Sequence, residues 1–221
     1  MKVCTDACLL GAWTAQKMND LTFQPGNILD IGTGTGLLSL MLAQKTNAII
    51  HAIELNEEAA AQAKENFDKS RWANHFFLFH TSIQQFPATI KYDWIISNPP
   101  FFEDDLHSDD AAKNAAKHDT TLTLDELLKA INIHLKEDGY ASLLIPFHRI
   151  AYFNTLTSAR KLFIHDTLFV KQSPKHDFFR AMLILSKNPS EAKKKELVIH
   201  DEHRHYTPAF TALLKDYYLK L

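Results

Sequence analysis

Three of the chain's six glycines, Gly32, Gly34 and Gly36, fall within five residues and directly follow an apolar run, Ile28-Leu29-Asp30-Ile31. Glycine permits positive φ and lets the backbone approach a ligand with no Cβ in the way, and open α/β sheets bind ligands where a strand ends. The dinucleotide fingerprint G-x-G-x-x-G places its third glycine one residue later than Gly36, so a pyrophosphate cradle is an imperfect match. A nucleoside without phosphates fits better. Glu54 closes the next β-rich run, 22 residues after Gly32, and is placed to accept hydrogen bonds from ribose hydroxyls. Asp30 is expected to orient the loop and its ligand by accepting from backbone N–H groups.

A second constellation, Ser97-Asn98-Pro99-Pro100-Phe101, follows another mostly apolar run. An amino group on a heterocycle or an amide is a weak nucleophile, because its lone pair is conjugated into the π-system. If the Asn98 side-chain oxygen and the Pro99 carbonyl accept its two N–H groups, they hold the nitrogen in line for methyl transfer from a sulfonium and favour pyramidalisation. No strong general base is then needed before transfer. Pro99 and Pro100 stiffen this backbone, and Phe101 offers a flat face to a base extruded from its stack. Asn98, Pro99, Pro100 and Phe101 are the expected catalytic group.

The elements that must position these residues follow from periodicity. Asp6 to about Lys17 has helical spacing, with Thr5 or Asp6 available as a cap. Ile28–Ile31, Ala48–Glu54, His75–His80, Tyr92–Ser97 and Tyr140–Ile145 read as strands. Leu37 to about Gln44, Glu57–Asp68 and Thr123–Leu135 read as helices, the last opened by a Thr123-x-x-Glu126 capping box. Such alternation implies a mainly parallel sheet with helices on both faces. Phe163–Lys171 and Phe178–Ser186 are too close in sequence for a crossover helix and should pair antiparallel. The expectation is a single α/β domain over residues 1–221, a short segment 1–24 preceding a seven-stranded sheet that ends in an antiparallel hairpin.

Composition narrows the class. The net charge is −2, divided as −7 over residues 1–110 and +5 over 111–221. The second half can therefore present a basic face to phosphates, although the tract Lys193-Lys194-Lys195 has glutamates on both sides and reads as solvated surface. Lys171, Lys175 and Arg180, mixed with Phe178, are candidates to grip an RNA backbone, the plain alternative being a hairpin with a basic loop. The acidic run Glu103, Asp104, Asp105, Asp109 and Asp110 reads as a loop at the substrate mouth, leaving Lys113 and Lys117 to face RNA. Cys4 and Cys8 lie on one helical face and are read as two small buried side chains. His203 and His205 are the only close histidine pair, and no metal site is expected. No apolar stretch approaches the roughly 20 residues of a membrane helix, so a cytoplasmic monomer is expected.

Together these residues resemble the Rossmann-like N6-adenine methyltransferases, whose motif I looks like Asp30-Ile31-Gly32-Thr33-Gly34-Thr35-Gly36 and whose motif IV looks like Asn98-Pro99-Pro100-Phe101. More narrowly, the chain is similar to the bacterial tRNA(Val) adenine N6-methyltransferases. Supporting segments are Leu9-Leu10-Gly11-Ala12-Trp13 and the terminal Tyr206-Thr207 and Tyr217-Tyr218. The resemblance implies S-adenosylmethionine as cofactor, held by Thr5, Asp6, Asp30, Gly32, Gly34, Gly36, Glu54, Ser82 and Asn98. It implies an adenine of tRNA as methyl acceptor. Ser82 stands where relatives place an aspartate for the cofactor's adenine amino group, and relatives extend further ahead of Met1. The same motif IV serves protein glutamine methylation. A noncatalytic RNA-binding protein of this fold and a nicotinamide dehydrogenase are the other readings, the latter leaving Asn98 to Phe101 without a role.

Overall fold

The computed structural model describes residues 4–99 and 122–220. Among these, α1 (Thr5–Asp20) precedes a series of alternating elements: β1 (Asn27–Ile31), α2 (Leu37–Ala43), β2 (Ile49–Glu54), α3 (Glu57–Asp68), β3 (Phe76–His80) and β4 (Tyr92–Ser97). Beyond residue 121 come α4 (Leu124–His134), β5 (Leu135–Pro146), α5 (Ile150–Ala159), β6 (Phe163–Lys171), β7 (Phe178–Ser186), β8 (Lys193–Val198) and α6 (Pro208–Leu214). The strands form one sheet in the order β3-β2-β1-β4-β5-β7-β6-β8. Every pairing is parallel except the two made by β7.

The sheet has eight strands, one more than expected. Lys193–Val198 pairs parallel with β6 from Asp166↔Lys193 to Lys171↔Val198. Its sequence, Lys-Lys-Lys-Glu-Leu-Val, carries almost no β-propensity, so pattern alone gives no strand. The three lysines are exposed as anticipated, but on an edge strand, where Lys side chains discourage further pairing. Two helices, α5 and α6, also escaped the pattern. The second is announced only by Thr207, whose hydroxyl accepts from the Phe210 N–H, and by Pro208 in the first turn. The Thr123–Glu126 capping box forms as expected. At α1, neither Thr5 nor Asp6 caps the helix; Cys4 occupies that position with no side-chain bond and is exposed, while Cys8 is buried.

Side-chain alternation divides the core in two. Ile28, Trp94, Ile96 and Met182 face α1, α2 and α6, while Leu29, Ile31, Ile95 and Leu183 face α4 and α5. The fully buried Trp94 indole N–H is satisfied by the Ser142 hydroxyl at 2.8 Å. Among the described residues no helix is long and apolar enough to cross a membrane.

Helix α1 is fixed across the sheet by charge. Lys17 Nζ lies 2.8 Å from Asp166 Oδ1 of β6, with side chains only 7% and 3% exposed, and His165 Nδ1 is 3.1 Å from the other carboxylate oxygen. Removing one partner of a buried pair strands the other in low dielectric. Lys17→Met is therefore expected to destabilise the protein by about 3 kcal/mol, while Lys17→Met combined with Asp166→Leu recovers much of the loss. Urea denaturation followed by circular dichroism checks both.

Candidate functional site

The site builds on the place where the sheet's strand order reverses. β1 continues to β2 on one side and pairs with β4 on the other, and in open α/β sheets ligands bind outside the carboxyl ends of the strands at such a reversal. The Ser97 hydroxyl donates to the Ile31 carbonyl at 2.7 Å, joining the two strand ends. The glycine loop begins one residue after Ile31, and Asn98 begins one residue after Ser97. Both constellations are therefore brought to a single edge.

All three loop glycines take left-handed angles, φ +71° at Gly32, +59° at Gly34 and +85° at Gly36. A Cβ at Gly36 would stand 2.5 Å from the Phe67 ring of α3, whereas one at Gly32 would meet nothing within 4 Å. Gly36 is thus required for helix packing, and Gly32 keeps its backbone open to a ligand. The loop is strapped to β2: Gly32 and Thr33 N–H donate to the Ile53 carbonyl at 2.9 and 3.0 Å. Glu54 accepts from Gly34 N–H and Asn56 N–H, both at 2.8 Å, one on each carboxylate oxygen.

Asp30 is fully buried beneath the loop. Its Oδ2 accepts from the Thr33 and Ser39 hydroxyls at 2.6 and 2.7 Å, while Oδ1 has no hydrogen-bond partner. The expectation of backbone N–H donors is corrected: hydroxyl groups hold this carboxylate, with only Ser39 contributing a backbone bond as well. Burial pushes its pKa up to about 6 against the pull of those donors, and the nearby Glu54 charge adds to the rise. The Asn98 side-chain oxygen is likewise buried and without a partner among the described residues. Buried polar atoms are rarely left unpaired in native structures; Asp30 on β1 and Asn98 after the neighbouring β4 carry two of the six such side-chain atoms among the described residues.

Ser82 lies at the same rim, one residue after Thr81, whose N–H donates to the Glu54 carbonyl at 3.1 Å. Its hydroxyl accepts weakly from Gln85 N–H at 3.3 Å. Pro99 is buried beside Asn98. Thr5 and Asp6 stand apart from the glycine loop in their contacts, Thr5 bonding Tyr218 and Asp6 accepting from Arg180 Nε at 2.8 Å. Arg180, expected to face RNA, is thus paired with an expected cofactor residue, and it lies opposite Pro146 at the end of β5. Lys171 sits over the Phe178 ring at 4.2 Å and 3.7 Å from Glu196; Lys175 is exposed in the hairpin turn. Pro100, Phe101, Lys113 and Lys117 lie outside the described residues. No metal-binding cluster of His, Cys, Asp or Glu is found among the described residues. Thr33, Ser39 and Ser97 carry no role in the sequence reading, although Thr33 and Ser97 stand within its two motifs and Ser39 is the one hydroxyl interrupting an apolar helix.

The profile of the methyltransferase small domain family matches residues 13–145. Over its whole length the chain is 39% identical to a tRNA1(Val) (adenine(37)-N6)-methyltransferase of Flavobacterium johnsoniae, covering 94% of that protein. It is also 39% identical to one from Shewanella sp. strain MR-7, again over the whole chain and 93% of the relative. The chain belongs to the tRNA1(Val) (adenine(37)-N6)-methyltransferase family. Among solved structures, a predicted O-methyltransferase from Agrobacterium tumefaciens superposes with a TM-score of 0.70 at 17% identity, covering 96% of each chain. The ribosomal protein L11 methylase of Lactobacillus delbrueckii superposes at 0.57 with 18% identity, covering 83% of this chain and 77% of that one. These two likenesses establish the methyltransferase fold. Within the methyltransferase small domain lie the glycine loop, Glu54, Ser82 and Asn98; β6, β7, β8 and α6 fall beyond its matched span.

The buried Asp30 has a stability signature. Because its folded pKa of about 6 exceeds the ordinary aspartate value of 3.8, the folded state holds its proton longer, and stability falls as pH rises through that window. Asp30→Asn removes this dependence. The stability of wild type minus that of Asp30→Asn is expected to drop by roughly 2 kcal/mol between pH 4 and pH 7, read from urea midpoints at both pH values. A difference that stays constant with pH would show Asp30 to be charged throughout.

Proposed function

We propose that this chain transfers a methyl group from S-adenosylmethionine to the exocyclic N6 nitrogen of an adenine in tRNA, the anticodon-loop adenine of a valine tRNA. The observation that carries the reading is the buried Asn98 side-chain oxygen, without a partner among the described residues, at the strand-order reversal and next to Ser97, whose hydroxyl bonds the residue preceding the glycine loop. The names of the full-length relatives support both the reaction and the acceptor.

The residues present fit the cofactor. Backbone around Gly32, Gly34 and Gly36 accommodates a close ligand, Gly32 having open space beside it. Each Glu54 oxygen accepts one backbone N–H and so retains a lone pair for a ribose hydroxyl. Ser82 is assigned to the adenine edge of the cofactor, and Asp30, Thr5 and Asp6 to shaping the cleft around it. When bound, S-adenosylmethionine supplies a methyl group activated by positive sulfur.

The acceptor nitrogen is handled by the chain itself. Asn98 Oδ1 and the Pro99 carbonyl accept its two N–H groups, fixing its orientation and drawing its lone pair out of conjugation. Desolvation makes these hydrogen bonds stronger than they would be in water. No described side chain is required as a base before transfer; the nitrogen–methyl bond forms as the sulfur–methyl bond breaks, and the surplus proton of the methylated nitrogen is then released to solvent. Residues 1–221 are taken as one methyltransferase domain acting as a cytoplasmic monomer, with Pro100 and Phe101 completing the catalytic group and Lys113 and Lys117 on the RNA side.

The direct test is to incubate the protein with labelled S-adenosylmethionine and tRNA lacking modification at this position, then digest the RNA and search for N6-methyladenosine by mass spectrometry. N6-methyladenosine in valine tRNA is expected. Asn98→Ala should lower kcat by about 100-fold or more while calorimetric binding of S-adenosylmethionine persists. Near-normal turnover in that variant removes the proposed mechanism.

A further inference from the structure

Beyond β4 the sheet does not end evenly. Ser97 pairs with Leu143, yet β5 continues to Pro146, three residues and about 10 Å further in the strand direction. β7 and β6 follow it upward, with Pro146 opposite Arg180 and Arg180 opposite Val170. Next to the mouth at Asn98 the sheet therefore raises a wall, and its crest is aromatic. Phe147, just past β5, lies with its ring centroid 5.5 Å from Phe169 and 5.2 Å from Phe178, and Phe169 and Phe178 are 5.2 Å apart. All three rings are half-buried and retain solvent-facing surface.

A backbone irregularity assembles this trio. Val170 pairs with Arg180, but Lys171 pairs with Phe178, so Phe179 is an extra residue in β7. Regular alternation would put Phe178 on the same face as Arg180, toward α1. With the bulge, Phe179 packs on the α1 side, and Phe178 is turned to the opposite face beside Phe169, which packs against the α4 and α5 core. Bulges commonly re-aim a side chain next to active sites. Lys171 Nζ stands 4.2 Å from the Phe178 ring, so a cation accompanies the aromatic surface.

We propose that Phe147, Phe169 and Phe178 form a stacking subsite for a nucleobase flanking the target adenine. The proposal rests on the acceptor being RNA. Bases flanking an extruded nucleotide lose a stacking neighbour, and a π-face with an adjacent cation replaces that neighbour without demanding a particular base. The wall stands beside β4, the strand that ends just before Asn98.

The test uses the full chain with an anticodon stem-loop RNA carrying 2-aminopurine next to the target adenine. Quenching of its fluorescence on binding to wild type is expected, and Phe178→Leu should abolish it. In turnover assays Phe178→Leu should raise KM for tRNA about 5- to 100-fold with a much smaller effect on kcat. Phe178→Tyr should stay near wild type in KM, and both variants should bind S-adenosylmethionine normally. Wild-type KM in Phe178→Leu, equal losses in the Leu and Tyr variants, or no quenching by wild type each overturns the subsite. If Phe178→Leu fails to fold, wild-type quenching and the Tyr variant decide the matter. If wild type quenches the probe yet never methylates tRNA, the proposed reaction falls and the subsite stands.

Discussion

A loop in which Gly32, Gly34 and Gly36 all hold left-handed backbone angles has little regular structure of its own, and the working edge of the protein depends on its being kept still. Two carboxylates do this from different sides. Glu54 bridges Gly34 and Asn56 N–H groups at the end of β2, and Asp30 holds the hydroxyls of Thr33 and Ser39 from beneath. Glu54 is partly exposed, but Asp30 is wholly buried, and an ionised carboxylate there is costly even with several donors. That cost is visible in its elevated pKa. Precise placement of a cofactor's neighbours requires side chains locked by supporting hydrogen bonds, and a buried carboxylate binding both the loop and the first turn of α2 supplies that lock.

The second constraint is the unequal length of the strands. β4 stops at Ser97 because Pro99 follows and cannot donate to a central ladder, which frees Asn98 at the point where the sheet changes direction. β5 continues past that level, and antiparallel β7 returns beside it. The result is a step: a low side occupied by the loops after β1, β2 and β3, and a high side formed by β5, β7 and β6. A parallel sheet alone would end in similar loops all along its edge. The antiparallel β7 is what raises one side into a wall.

Much of this was legible in residue types, for reasons that also explain what was not. The clustered glycines and the Asn-Pro-Pro step are rare combinations with few structural uses, so they stand out from sequence. The capping box before α4 is a local bond between residues three apart and is equally readable. Ser39 and Ser97 are ordinary serines whose partners, Asp30 and Ile31, become neighbours only after folding. β8 has a lysine-rich sequence that no β-propensity would select, and it is held by the exposed edge of β6 instead. The bulge at Phe179 changes which face Phe178 occupies without any glycine or proline to announce it.

Charge shows the same limit. The excess of basic residues in the second half suggested a broad face for phosphates, but folding ties many of these residues to acids. Lys136 pairs with Asp93, Arg160 with Asp125, Lys187 with Glu137, Lys171 with Glu196 and Arg180 with Asp6. Two of these partners, Asp93 and Asp6, lie in the acidic first half, so part of the uneven distribution along the chain reflects long-range pairings across the sheet. A fold in which cations bind its own elements together has fewer left to attract RNA at a distance. Recognition must then rely more on short-range contacts, for which an aromatic crest beside the strand that ends just before Asn98 is suited because stacking requires contact and not net charge.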